Sequence, residues 1–448
     1  MSVLRPYQCE AIAAVRSEMA RGHRRVVLVM PTGAGKTMTA CDIVRRALDR
    51  GGSVLWLAHR TEIIDQCASH LERYGLEAGV ISASSTRNPL PESRVQVASI
   101  QTLLARDARP RATLIVYDEC HHASEDGAPH WASLLAAYPS TPIVGLTATP
   151  ERGDGTGLGP LFNGLVVGAT VADLTRDGHL VPCRILRPGR TLRSSQIAQD
   201  PVDAYAAHAQ GRQVLIFAQR VDQAQDIAVR MAAAGAPSSC IHAGTPAGER
   251  REAIAAFRSG LIRCLTCVAV LTEGTDLPSA EVCILARGAG SSGVYLQMVG
   301  RVLRPAPGKL EALVLDLRGV SHLWGDPSDE RVYSLDGVGV QLASRCKKCA
   351  VCQAPISAYP CSRCGYAPTS NEPEAAAMEI TGDALVPYAS KRVEGAAQRE
   401  ATLRRWVKAC LDEGKSWKGL HHKYMAVYAE FCPKKRVLDM VKGMVSER

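Results

Sequence analysis

The chain has 448 residues, of which 46% are hydrophobic and 22% charged, and a formal net charge of +9. That length accommodates about three domains with cores of their own, and the composition is that of an ordinary globular protein, which excludes disordered and fibrous classes. The longest apolar runs, such as Val26–Met30, are too short to cross a bilayer, and Met1–Glu10 lacks the basic start and apolar stretch of a secretory signal. The expectation is a cytoplasmic protein with no membrane partner.

In chain order, Val26–Met30, Val54–Ala58, Val95–Ala98, Leu114–Tyr117 and Ile143–Leu146 are short apolar runs bounded by turn or polar residues. They read as buried parallel strands. A second series follows at Val214–Phe217, Cys264–Cys267, Val282–Ala286 and Leu313–Leu317, with helical patterns over Thr37–Leu48, Gln219–Ala234 and Ala247–Arg258. Strand–helix alternation on this scale predicts an α/β chain with two tandem parallel-sheet domains, here placed at 1–186 and 187–342. The join falls in a Pro-, Gly- and Arg-rich stretch, Pro182–Gln196. Beyond it the spacing predicts a cysteine-rich module at 343–368, an acidic Ala- and Pro-rich linker at 369–397 and a basic helical segment at 398–448.

Pro31-Thr32-Gly33-Ala34-Gly35-Lys36-Thr37 follows a strand and opens a helix, the context a phosphate-binding loop requires. Glycines let backbone N–H groups turn toward phosphates, and the helix N-terminus adds partial positive charge. Lys36 is suited to reach the β- and γ-phosphates of ATP and Thr37 to hold Mg²⁺. The strict pattern has Gly where this chain has Met30. Asp118-Glu119-Cys120-His121 follows the apolar run Leu114–Tyr117, so both carboxylates project from a strand end, where ligands bind in such sheets. One carboxylate, Asp118, suits Mg²⁺, and Glu119 suits polarisation of the attacking water.

Of sixteen cysteines, five crowd between Cys346 and Cys364. Cys349-x₂-Cys352 and Cys361-x₂-Cys364 are two knuckles able to supply four thiolates to a tetrahedral Zn²⁺, with Cys346 treated as a spare. Cys264-x₂-Cys267 has the same spacing but lies inside an apolar run and reads as core. Residues 391–448 hold 14 Lys and Arg against 7 Asp and Glu, so +7 of the +9 sits in the tail. Interleaved with those cations are Trp406, Trp417, Tyr424, Tyr428 and Phe431, an arrangement suited to nucleic acid, with a small helical core an equal competitor.

Taken together and in order, these segments resemble the superfamily-two DExH helicases over about the first 310 residues. The resemblance implies two RecA-like domains, with Gln8 as the adenine contact, Thr32, Gly33, Gly35, Lys36 and Thr37 in motif I and Asp118 and Glu119 in motif II. Ala58-His59-Arg60 and Ser99-Ile100-Gln101-Thr102-Leu103 resemble strand-end segments that hold nucleic-acid phosphates, through Arg60 and Thr102. Thr147-Ala148-Thr149-Pro150 resembles motif III, and Ile216-Phe217-Ala218-Gln219 resembles motif IV, with Gln219 at the nucleic acid. In Thr272-Glu273-Gly274-Thr275-Asp276, resembling motif V, Thr272 would face nucleic acid and Gly274 and Asp276 the nucleotide. Gln297–Arg304 resembles motif VI, with Gln297, Arg301 and Arg304 catalytic.

An arginine supplied from another domain can stabilise charge on a transferring phosphoryl group, and Arg301 and Arg304, at i and i+3, can share a cleft. The layout, with zinc ribbon and basic tail, looks most like bacterial RadD-type DNA-repair helicases and related phage helicases. It implies DNA as the nucleic-acid partner, and single-strand-binding or repair and replication proteins as further partners. Two alternatives stay open: the motor subunit of a restriction system, and an ATP-gated clamp on DNA or RNA that separates no strands.

Overall fold

The computed structural model describes residues 4–58, 61–83, 85, 87, 89–124, 133–134, 136–152, 157–193, 195–268, 270, 277–336, 347–348, 355–356 and 378–388. Among these, β1 (Arg25–Val29), β2 (Val54–Ala58), β3 (Gly79–Ile81), β4 (Val95–Ser99), β5 (Leu114–Tyr117), β6 (Ile143–Thr147) and β7 (Gly164–Val167) form a seven-stranded sheet in the order β3-β4-β2-β5-β6-β1-β7. All its pairings are parallel. Its central strands are buried on both faces, which is why they read as unbroken apolar runs rather than alternating ones. Trp56 and Tyr117, on neighbouring strands of this sheet, are fully buried.

The second lobe repeats the plan with β8 (Cys183–Pro188), β10 (Val214–Phe217), β11 (Ser238–Ile241), β12 (Cys264–Cys267), β13 (Val282–Leu285) and β14 (Ala312–Asp316). The order is β11-β12-β10-β13-β14-β8, with β18 (Leu385–Pro387) on the outer edge. β9 (Gln196–Ile197) pairs separately with β17 (Glu379–Ile380). β15 (Lys347–Lys348) pairs antiparallel with β16 (Pro355–Ile356). The expected core role of Cys264 and Cys267 holds: both are buried in β12, and burial raises both thiols far above their ordinary range.

Two boundaries differ from the sequence expectation. The sequence pattern ends the first lobe at 186, yet β8 pairs with β14 in the second sheet, so the second lobe starts before Cys183. Ile185 and Leu186 are buried there, and the Pro-, Gly- and Arg-rich stretch Pro182–Gln196 that suggests the join contains β8 and its exit. The linker expected at 369–397 is not free over Met378–Tyr388, because β18 adds antiparallel to the outer edge of β8. Three residues ending in proline carry little strand signal, and an edge strand is where proline is tolerated. Tyr388 fixes the return: its hydroxyl donates to Asp329 Oδ2 at 3.2 Å, and the Arg187 guanidinium lies 4.4 Å above its ring.

The four paired cysteines, Cys349, Cys352, Cys361 and Cys364, and the tail 389–448 lie outside the described residues. Among the described residues no group of three or more His, Cys, Asp or Glu is placed to hold a metal, and no helix is long and apolar enough to cross a membrane.

Tyr388→Ala removes one hydrogen bond and one cation–π contact and is expected to lower unfolding free energy by about 1–2 kcal/mol. Thermal melting checks this; an unchanged midpoint would mean that Met378–Tyr388 is a free linker after all.

Candidate active site

The loop Pro31–Gly35 joins β1 to the helix Lys36–Asp49. Gly33 and Gly35 have φ of +88° and +79°, a region L side chains enter at a cost of roughly 1–2 kcal/mol. Space forbids a side chain as well. A Cβ on Gly35 would lie 2.6 Å from Gln8 Nε2, and one on Gly33 would lie 3.0 Å from Leu180 Cδ2 and 3.3 Å from Arg304 Cγ. Gly35 is the N-cap of the following helix and offers no side-chain cap. The first-turn N–H groups are therefore open to an anion. Met30, the departure from the strict loop pattern, continues the strand: its N–H donates to Thr147 O at 3.0 Å, and its carbonyl accepts from Lys36 Nζ at 3.3 Å. Gln8 is buried against the same loop, its amide 3.4 Å from the Ala34 and Gly35 carbonyls. Tyr7 donates its hydroxyl to Ala34 O at 2.9 Å.

Opposite the loop, β5 ends in Asp118 and Glu119. Asp118 is buried, and burial first, then the charge of Glu119, pushes its carboxyl up to about 7 against the opposing pull of Lys36. Its Oδ1 accepts the Glu119 N–H at 3.0 Å and its Oδ2 accepts the Cys67 thiol at 3.5 Å. Glu119 sits at φ +47°, a strained backbone for a non-glycine residue, and such strain gathers at functional sites. Its Oε1 is 3.9 Å from Lys36 Nζ. Its Oε2 is buried and accepts no hydrogen bond, with His121 Nδ1 3.5 Å away. A buried carboxylate beside a second with an orphaned oxygen is a hard-oxygen donor set that fits a divalent cation.

The second lobe completes this site. Arg304, from the turn after the helix Ser292–Gly300, packs its side chain on Gly33. Gln297, buried on that helix, lies with its amide nitrogen 3.4 Å from His121 Nε2. The His121 tautomer follows from its neighbours. Thr147 Oγ1 gives its proton to Thr149 O at 2.6 Å, so it must accept from His121 Nδ1–H at 3.1 Å, which leaves Nε2 to accept from Gln297. A buried polar chain thus runs from the second lobe through motif II into motif III. Ser292 adds a link by donating to Glu151, two residues past Thr149.

Of the other expected site residues, Thr32 is buried beside Gly300, and Thr37 is half-buried in the first turn of its helix. Arg301 is 4% exposed at the end of its helix, deeper than Arg304. Thr102 is buried and its hydroxyl accepts from Ala83 N–H at 3.3 Å, whereas Gln101 is the exposed member of that segment. Gln219 is exposed. Arg60, Thr272, Gly274 and Asp276 lie outside the described residues. Sequence reasoning misses the relay role of His121 and Thr147 and the packing of Leu180 on the loop. No spacing signal reveals contacts made only when the chain folds.

Two family models match, one on each lobe: "Type III restriction enzyme, res subunit" over residues 1–152 and "Helicase conserved C-terminal domain" over 198–306. The chain belongs to the superfamily-two helicases. A 51.5 kDa protein of a Lactococcus phage (isolate 7-9) is 29% identical over 366 residues, 75% of this chain and 76% of the phage protein. The DNA 3'-5' translocase XPB2 of Sulfurisphaera tokodaii is 25% identical over 375 residues, 70% of this chain and 81% of that protein. A solved fragment from Vibrio vulnificus YJ016, assigned as an HsdR subunit of a type I restriction enzyme, shares the fold with a TM-score of 0.57 at 20% identity, covering 73% of this chain and 66% of that one. Two yeast relatives are longer, and the chain spans 59% and 52% of them. Its two lobes are the ATP-hydrolysing core of a superfamily-two helicase, a family that acts on nucleic acid with ATP and Mg²⁺.

Gly33→Ala combines an unfavourable φ with a Cβ driven against Leu180 and Arg304. It is expected to lower the ATPase kcat at least about tenfold while the fold survives. A wild-type rate in a correctly folded Gly33→Ala protein would contradict the packing described.

Proposed function

We propose that this helicase is a DNA translocase whose ATP hydrolysis depends on the two lobes closing on one nucleotide. The observation that carries the reading is Arg304 seated on Gly33 while Gln297 reaches His121, because it puts second-lobe groups beside the first-lobe loop. In this reading the open N–H groups after Gly35 and the Lys36 ammonium bind the β- and γ-phosphates, and Gln8 selects adenine. Thr37 and Asp118 would hold Mg²⁺, which when bound neutralises charge on the phosphates. Glu119 orients the attacking water with its unbonded oxygen. Arg304, with Arg301 behind it, stabilises charge on the transferring phosphoryl group. Gly274 and Asp276 complete the nucleotide site from motif V. Arg60, Gln219 and Thr272 grip nucleic-acid phosphates, with Thr102 buried and bracing its segment against Ala83, and alternating grip moves the strand.

DNA is favoured over RNA by the XPB2 relative, a DNA 3'-5' translocase by name, and the basic, aromatic tail at 391–448 suits nucleic acid of either kind. Cys349, Cys352, Cys361 and Cys364 would hold one structural Zn²⁺, and the setting is cytoplasmic. A restriction-system motor is the second reading, favoured by the res-subunit match over 1–152.

Lys36→Ala and Glu119→Gln are each expected to lower nucleic-acid-stimulated ATPase at least about a hundredfold. The full chain should be stimulated more by DNA than by RNA. Stimulation that survives either variant would refute the site assignment, and equal stimulation by RNA would refute the DNA assignment. Metal analysis of reduced protein should find about one zinc per chain, lost in Cys361→Ser; zinc-free wild-type protein rules the ribbon out.

A further inference from the structure

Arg304 is followed by Pro305-Ala306-Pro307-Gly308-Lys309. Pro305 forbids the helix from continuing through Arg304 and leaves no N–H of its own. Gly308, at φ +77°, and a bond from Lys309 N to Ala306 O at 3.1 Å reverse the chain. The turn brings Lys309 back over the residue that began it. Its ammonium donates to three carbonyls: Arg304 at 2.8 Å, Ala280 at 2.5 Å and Pro278 at 3.2 Å. An ammonium has three protons, and all three are placed. Pro278 and Ala280 stand just beyond Thr272–Asp276 in the chain. The residue before Arg304 is held from the other side, since Leu303 O accepts from Val181 N at 2.8 Å on the interlobe linker.

We infer that Lys309 is a positioning residue: it ties the exit of motif V to the backbone of Arg304 and so aims that arginine at Gly33 across the seam. The inference rests on the reading of Arg304 as the residue that stabilises the transferring phosphoryl group. The bond set is made inside the protein rather than to water. Burial pulls the Lys309 ammonium down to about 8, with Glu281 opposing and Arg212 and Arg304 adding to the fall. A half-buried cation held by three carbonyls contributes a fixed geometry more than a charge. All three Lys309 protons are committed to main-chain carbonyls, one of them that of Arg304, so its effect on hydrolysis passes through Arg304.

The test is a double-mutant cycle on the ATPase of the full chain with saturating DNA. Arg304→Ala should lower kcat, which checks the underlying reading by itself. Lys309→Met keeps the aliphatic stem and removes the donors. It should lower kcat about tenfold with KM for ATP changed less than about twofold, because Arg304 acts on the transition state. In the Arg304→Ala background the same change should cost less than about twofold. A plain packing defect would lower kcat by the same factor in both backgrounds, and that result overturns the inference. So does an unchanged kcat in Lys309→Met. A wild-type kcat in Arg304→Ala sinks the reading of Arg304 instead. Should Lys309→Met melt early, Lys309→Gln replaces it in the cycle, and the same results support or overturn the inference.

Discussion

Two carboxylates placed side by side at the buried end of β5 set the constraint on which the rest of the site depends. Asp118 cannot stay charged cheaply in that position, and its carboxyl is pushed up to about 7 although Lys36 pulls it back. Glu119 beside it holds a strained backbone and a buried oxygen without a hydrogen bond. Such an arrangement is costly for a resting protein and useful for one that receives a cation and a polyphosphate. The loop before Lys36 answers it with a side-chain-free helix N-terminus and two glycines that let other groups approach.

The first lobe alone does not close this site. Gln297, His121 and Thr147 form a buried polar chain, so a shift of the second lobe is felt at His121, whose ring lies 3.5 Å from Glu119. Buried chains of this kind are sensitive because each member loses a partner when one moves. Arg304 lies in the turn that follows the helix of Gln297 and packs on Gly33. The two lobes are therefore joined by contacts at this site, the arrangement the proposed motor needs if nucleotide state is to move its grip on a strand.

Much of this is legible in the residues themselves. Parallel strands buried on both faces show as unbroken apolar runs, so Val54–Ala58 and Leu114–Tyr117 lie where their sequences place them. Lys36, Asp118 and Glu119 announce themselves by chemistry at strand ends. Other parts are hidden for physical reasons. β18 is three residues at a sheet edge, and its pairing with β8 spans nearly two hundred positions, which no local pattern encodes. β8 reads as part of the wrong lobe because its proline- and glycine-rich exit looks like a linker. The contacts of Leu180, His121 and Lys309 cross the fold in the same way. Thr102 looks like a phosphate contact, yet its hydroxyl is turned inward to Ala83.

If second-lobe groups act on hydrolysis through the buried chain at the seam, His121 and Gln297 must be energetically coupled. A cycle of His121→Ala, Gln297→Ala and the double variant, read as kcat of the DNA-stimulated ATPase, measures that coupling. The double variant is expected to be no slower than the worse single one, a coupling of about 1 kcal/mol or more. Losses that simply add would mean that the two residues act independently, and the seam would not be the route.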